Sequence, residues 1–230
     1  QFMFKKLNNI GDCGIVCDFG EEVNREINGN VIKLFNHVKK EVLHGNLNGI
    51  LNYTPSYNKL IINFDLEKIN SSTIMDFLKS VDFSKLNLSK NSKKWTIPVC
   101  YDFQMDLENM SKTLKIKKDE IINLHLNTDF FVYMVGFIPG HPFMGDLSSN
   151  LFLNRLKTPR VKIPAGSVGI VEKFCNIYPY ESPGGWNIIG RTPIKLFNRE
   201  NESSPCLLSP GDSVKFKSIS KKEFEKLANE

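Results

Sequence analysis

The sequence predicts an α+β protein in two parts: strands alternating with helices over residues 1–88, then a β-barrel over residues 89–230. Two observations carry this reading. Up to about Lys90, Gly and Pro are sparse and the apolar pattern is regular. Beyond it, 9 of 11 prolines lie between Pro139 and Pro210, and 9 of 15 glycines between Gly136 and Gly211, a density that suits short strands joined by tight turns.

In the first part, residues 14–19 alternate with period two, a strand with Cys13, Ile15, Cys17 and Phe19 on one face. That pattern places both thiols in the core as packing residues. Val23, Ile27, Val31, Leu34, Val38 and Val42 then form one stripe of an amphipathic helix, with Gly45 as its stop. Residues 49–54 and 59–64 are two strands around the turn Pro55-Ser56-Tyr57-Asn58. Ile74, Phe77, Leu78 and Val81 mark a second helix, with Ser71 or Ser72 as N-cap. The order strand, helix, strand, strand, helix is most of a ferredoxin-like split βαβ unit, with a last strand still to be found. Residues 84–94, polar and carrying four lysines, read as a linker.

The second part opens with a strand at 95–101, followed by helices around 107–114 and 119–126 and a continuous apolar strand at 130–135. Short strands are expected around 167–172, 186–190 and 213–217. Ser220 and Glu223 form a capping box for a final helix carrying Phe224 and Leu227.

Composition excludes several classes. With 41% hydrophobic and 24% charged residues, the chain can build an ordinary core without disulfide or metal staples. A net charge of +5, without aromatics interleaved among Lys and Arg, is no nucleic-acid footprint. Five scattered cysteines with no C-x-x-C pair indicate a reducing compartment, so a cytoplasmic location is expected. No signal peptide is expected from residues 1–7. The longest apolar stretch, 130–139, is far short of the ~20 residues of a membrane helix.

Four blocks stand out: Gly136-Phe137-Ile138-Pro139-Gly140-His141-Pro142-Phe143-Met144-Gly145; Thr158-Pro159-Arg160 running on to Ile163-Pro164-Ala165-Gly166-Ser167-Val168-Gly169-Ile170; Tyr178-Pro179-Tyr180-Glu181-Ser182-Pro183-Gly184-Gly185-Trp186; and Ile189-Gly190-Arg191-Thr192-Pro193. Glycine permits close backbone approach and proline fixes loop geometry, while Arg160, Ser167, Glu181, Ser182 and Arg191 supply a few polar groups. That is the composition of a preorganised pocket. A barrel with tight turns and no pocket has the same composition, and composition does not separate the two.

In order and spacing these blocks closely resemble the family of the 5-oxoprolinase B-subunit, the sporulation-kinase inhibitor protein and allophanate hydrolase subunit 1. The same module (carboxyltransferase subdomain C and D) occurs in urea carboxylase. Gly11-Asp12-Cys13, Ile97-Pro98-Val99-Cys100-Tyr101, Glu120-Ile121-Ile122 with Leu124-His125, and Pro210-Gly211-Asp212 match its other landmarks. The resemblance implies a ferredoxin-like N-terminal domain and a cyclophilin-like β-barrel C-terminal domain. It also implies a subunit of an ATP-dependent 5-oxoprolinase, which converts 5-oxoproline to glutamate. The partners implied are a larger, allophanate hydrolase subunit 2-like chain and a lactam-utilisation-type protein. The resemblance also implies ATP with Mg in that complex, and with no lysine flanked by methionines no biotin is expected on this chain.

Under that resemblance Glu181 and Arg191 are the catalytic candidates. Gly140, His141, Arg160, Gly166, Ser167, Ser182, Gly184 and Gly185 are candidates for binding substrate or nucleotide. Charge builds on phosphoryl and carbonyl oxygens in such a reaction, and a planar guanidinium binds two oxygens at once. Either arginine can equally be a structural tie to loop carbonyls. Glu181 can orient an arginine, position water or hold a metal ion, although no metal-ligand spacing is present and no metal site is expected. Arg155, Lys157 and Lys162 read as a solvated edge.

At His141 the family usually has an aromatic or apolar residue; the imidazole is either a titrating group or a flat ring in place of another. His125 can cap its helix, satisfy a core hydrogen bond or reach a pocket. His37 and His44 read as surface residues. No G-x-x-x-x-G-K-[ST] loop and no H-E-x-x-H occurs, so a familiar phosphate loop does not hold ATP here. Two other functions share these blocks: a regulator that inhibits a sensor histidine kinase, and an allophanate- or urea-carboxylase-type carboxyltransferase component.

Overall fold

The computed structural model describes residues 4–87 and 92–229, in two compact units, Gln1–Asn91 and Ser92–Glu230.

The first unit begins with a hairpin of β1 (Lys6–Ile10) and β2 (Gly14–Asp18), followed by α1 (Arg25–Leu43), β3 (Ile50–Pro55), β4 (Lys59–Phe64) and α2 (Ser71–Ser80). Its sheet is antiparallel throughout in the order β1-β2-β4-β3. Period two decides which face is buried. Ile15 and Cys17 of β2 lie opposite Ile62 and Leu60 of β4, and all four are fully buried. Val31, Leu34 and Val38 of α1 and Ile74 and Leu78 of α2 complete that core. α1 starts where Asn24 Oδ1 accepts from the Ile27 amide (2.9 Å), and stops at Gly45, whose φ of 77° suits glycine.

Several expectations change here. Cys13 is exposed, because the turn between β1 and β2 begins before it and the alternation starts one residue later. The N-cap of α2 is Asn70, whose Oδ1 accepts from the Thr73 amide, rather than Ser71 or Ser72. Among the described residues of this unit no strand follows α2. The fourth place in the sheet is taken by β1 from the other end of the chain, so the ferredoxin-like order is incomplete. The expected linker is shorter than 84–94: a 3-10 turn covers Phe83–Lys85, and Lys94 already belongs to a strand. Residues 88–91 of it lie outside the described residues.

The second unit contains β5 (Lys94–Val99), α3 (Leu107–Leu114), α4 (Lys118–Leu126), β6 (Phe130–Val135) and β7 (Pro142–Gly145). Then come β8 (Arg160–Ile163), β9 (Ser167–Val171), β10 (Phe174–Ile177), β11 (Ser182–Gly184), β12 (Asn187–Arg191), β13 (Ser213–Ser218) and α5 (Lys221–Ala228). Seven strands form one barrel-like sheet in the order β12-β9-β10-β7-β6-β13-β5. An antiparallel bridge between Cys100 and Arg191 joins its two edges, so the sheet nearly closes on itself. β8 and β11 form a separate two-stranded ribbon. The interior is filled by inward residues such as Val99, Val132, Met144, Val168, Ile170 and Val214. At α5 the capping box is complete: Ser220 Oγ accepts from the Glu223 amide, and Glu223 Oε2 accepts from the Ser220 amide.

Candidate functional site

Where the barrel closes, β12 and the chain after β5 face a small pocket. Ser167 begins β9 and Arg191 ends β12, and the two are directly opposite in the antiparallel register, so their side chains leave the sheet on one face. Both line the pocket, which has a volume of about 50 Å³. Its apolar walls are Phe103 and Met105 from the chain after β5, Pro164 from the turn before β9, and Ile188 of β12.

Arg191 is held on three sides. Its Nε donates to the Ala165 carbonyl at 2.8 Å, and the guanidinium lies 5.6 Å from the ring centre of Phe103 and 5.4 Å from that of Phe224. Among the described residues no carboxylate pairs with it. Ser167 is only 1% exposed, and its Oγ has no hydrogen-bond partner among the described residues.

Arg160 is set apart by a partner that sequence reasoning missed. Its Nη2 donates to Oδ1 of Asp106, 54 residues away, and Asp106 is 2% exposed. The other oxygen, Oδ2, accepts from the Ile188 amide at 2.6 Å. One carboxylate thus neutralises Arg160 and fixes the strand that forms a wall of the pocket. Arg160 therefore serves as a tie at this point, although its Nη1 is buried without a partner among the described residues. An Asp before a predicted helix is the usual sign of an N-cap; here the side chain makes no cap bond and turns to Arg160 and Ile188 instead.

Tyr178 gathers most of the remaining candidates. Its carbonyl accepts from the Gly166 amide (2.7 Å) and its amide donates to the Ser167 carbonyl (2.9 Å). Its ring lies 5.4 Å from that of His141, and its hydroxyl occupies the space a side chain at Gly184 would need. Burial pushes the phenol up. Gly166 has φ 80°, and a Cβ there would overlap the Thr192 carbonyl oxygen; Gly140 has φ 76° and would collide with Phe197. Gly185 accepts from the Leu156 amide through its carbonyl, and Ser182 pairs with Ile163. Tyr178 stands in the third sequence block, so its type and place were visible; its role as the common neighbour was not.

His141 is buried against Phe143 and Tyr178, and Asn176 Nδ2 donates to its Nε2 at 3.0 Å. Burial lowers its pKa to about 4, so near neutral pH it is an uncharged ring. His125 is a core residue. Its Nδ1 meets the Tyr101 hydroxyl at 2.8 Å, its ring stacks on Phe216, and burial lowers its pKa to about 3. Glu181 is not in the pocket. It is 56% exposed and pairs with Lys162 at 3.1 Å on the solvent side of the β8–β11 ribbon. Among the described residues no cluster of His, Cys, Asp and Glu can hold a metal ion, and no helix is long and apolar enough to cross a membrane.

The pocket is small and mostly apolar, with Arg191 and Ser167 among its lining residues and the Ser167 hydroxyl buried beside it. It does not fit a nucleotide. Allowing ~10–15 Å³ for each water-sized position, about 50 Å³ holds roughly three to five such positions.

Comparisons with known proteins agree with this architecture. The 5-oxoprolinase B-subunit of Bacillus subtilis is 34% identical over 232 residues, covering 95% of each chain. The protein of the same name from Haemophilus influenzae is 44% identical over 122 residues, covering 52% of this chain and 57% of its own. The crystal structure of TTHA0988 superposes with a TM-score of 0.77 at 30% identity, over 90% of this chain and 40% of that longer one. Residues 5–208 match the model of the carboxyltransferase domain, subdomain C and D, and the chain belongs to that family.

Proposed function

We propose that this chain is the B-subunit of an ATP-dependent 5-oxoprolinase, a cytoplasmic and non-autonomous component of a hydrolase complex. The observation that carries the reading is the end-to-end match to the Bacillus subtilis protein, 95% of both chains at 34% identity. In the proposed reaction 5-oxoproline, ATP and water give glutamate, ADP and phosphate. The lactam carbonyl is a poor electrophile, and its activation needs donors aimed at oxygens that gain charge. Arg191 and Ser167 are such donors, on a rigid frame. ATP supplies the activating phosphoryl group, but the small pocket gives it no room, so we assign its binding to the assembled complex with Mg.

The proposed partners are the larger, allophanate hydrolase subunit 2-like chain and a lactam-utilisation-type protein. Arg191 is kept as the catalytic candidate. Glu181, on the surface with Lys162, reaches reacting atoms only where a partner covers that surface. As folds, we assign residues 1–88 to a ferredoxin-like variant and 89–230 to a cyclophilin-like barrel. Supporting this are β4 lying between β2 and β3, and the near-closed seven-stranded sheet.

The test is reconstitution. The purified chain alone is expected to show no 5-oxoproline-dependent ATP hydrolysis, and activity is expected when both partners are added. Full turnover by the isolated chain removes the partner requirement. A complete set with no dependence on 5-oxoproline moves the kinase-regulator reading ahead.

A further inference from the structure

Resting on the oxoprolinase reading, we infer that the pocket between β9 and β12 is a carboxylate subsite, in which Ser167 and Arg191 hold the acid group of a small cyclic amide acid. Three observations converge. Ser167 lines the cavity, and its Oγ is buried without a protein partner among the described residues; such a group is costly unless something bonds to it. Arg191 lacks a carboxylate partner among the described residues, and its Nε is already committed to Ala165. Its terminal nitrogens therefore remain as a fork for two oxygens. Both groups emerge on one face from directly opposed positions, Ser167 and Arg191, so one anion can meet both.

Size and the apolar walls then narrow the ligand. A volume of about 50 Å³ takes a carboxylate and the carbon that bears it, whereas a triphosphate exceeds it. Met105, Ile188 and Phe103 give the hydrocarbon of a compact ring an apolar surface. The Asp106 carboxylate, which could repel an anion, is neutralised by Arg160 and bonded to the Ile188 amide behind the wall. The subsite would anchor the end of the molecule opposite the lactam carbonyl and leave that carbonyl outside, where a partner subunit can reach it.

The experiment titrates the intact chain with 5-oxoproline, with 2-pyrrolidinone (the same ring without the carboxylate) and with inorganic phosphate, following backbone amide shifts. 5-Oxoproline is expected to perturb residues 103–105, 164–167 and 188–191, and 2-pyrrolidinone to bind at least tenfold more weakly. Ser167→Ala is expected to weaken 5-oxoproline about five- to tenfold, with wild-type melting as the check on folding. Equal binding of 2-pyrrolidinone, equal competition by phosphate, or shifts confined to other residues overturns the assignment. The same variants are assayed in the reconstituted complex. Unchanged KM for 5-oxoproline in both Ser167→Ala and the pocket-filling Met105→Trp overturns the subsite while the oxoprolinase reading stands. Selective binding of 5-oxoproline by the chain, with no oxoproline-dependent turnover by the complex, keeps the subsite and removes the oxoprolinase reading.

Discussion

Arg191 and Cys100 exchange two backbone hydrogen bonds, 2.8 Å from the Cys100 amide and 2.9 Å from the Arg191 amide, and this bridge joins the two edges of the seven-stranded sheet. The residue that closes the barrel therefore also carries the guanidinium of the pocket. A change in the closure therefore also shifts a residue that lines the pocket.

Arg191→Lys separates the two roles. The backbone bridge survives, but the bond to Ala165 and the flat contacts with Phe103 and Phe224 are lost. We expect a loss of about 1–3 kcal/mol in stability. In the reconstituted complex a fall in kcat/KM larger than the melting change explains would mark a direct role in binding or chemistry. Wild-type melting together with a wild-type rate would falsify both roles.

Gly166→Ala tests whether the turn before Ser167 is sterically closed. At φ 80° an alanine is strained, and its Cβ would overlap the Thr192 carbonyl oxygen. The expected cost is about 2 kcal/mol or more, seen as a lower urea midpoint at unchanged m-value. An unchanged midpoint would show that the turn has room to relax.

Asp106→Asn removes the charge opposite Arg160 but keeps the shape. Loss of one member of a fully buried pair costs about 3–5 kcal/mol; with 29% of the Arg160 side chain exposed, we expect nearer ~2 kcal/mol. A double-mutant cycle with Arg160→Met should give clear coupling, and purely additive effects would show that the pair contributes nothing beyond its separate contacts.

Acid should destabilise the second unit in a defined window. His125 and His141 both have folded pKa values below the ordinary 6.5, at about 3 and about 4, because burial disfavours the imidazolium. The unfolded chain therefore binds protons that the folded chain refuses. Stability is complete above about pH 6.5 and falls as the pH drops towards 4 and then 3, approaching ~1.4 kcal/mol per pH unit for each residue. His141→Phe keeps a flat ring and removes one titrating group, so the slope of unfolding free energy between about pH 6 and 4.5 should become shallower. An unaltered slope would show that His141 gains its proton without cost in the folded state.

Local patterns determined much of this protein. The 3.6-residue stripe from Ile27 to Val42 dictated α1, the continuous apolar run dictated β6, and the Ser220–Glu223 pair dictated the start of α5, because each signal lies within a few residues of the structure it sets. The four Gly- and Pro-rich blocks likewise announced a rigid loop cluster and the family. The short strands β7, β8, β10 and β11 were not legible, since three or four residues carry too little periodicity, and Pro142 and Pro183 mask it further. What joins the blocks was decided only by tertiary structure. The Arg160–Asp106 pair, the Cys100–Arg191 closure and the place of Tyr178 between Gly166, His141 and Gly184 are contacts between residues far apart in the chain. No local period encodes them. The same reason separates Glu181 from Arg191: ten positions apart in the chain, one lies just before the ribbon strand β11 and pairs with Lys162, the other ends barrel strand β12 and lines the pocket.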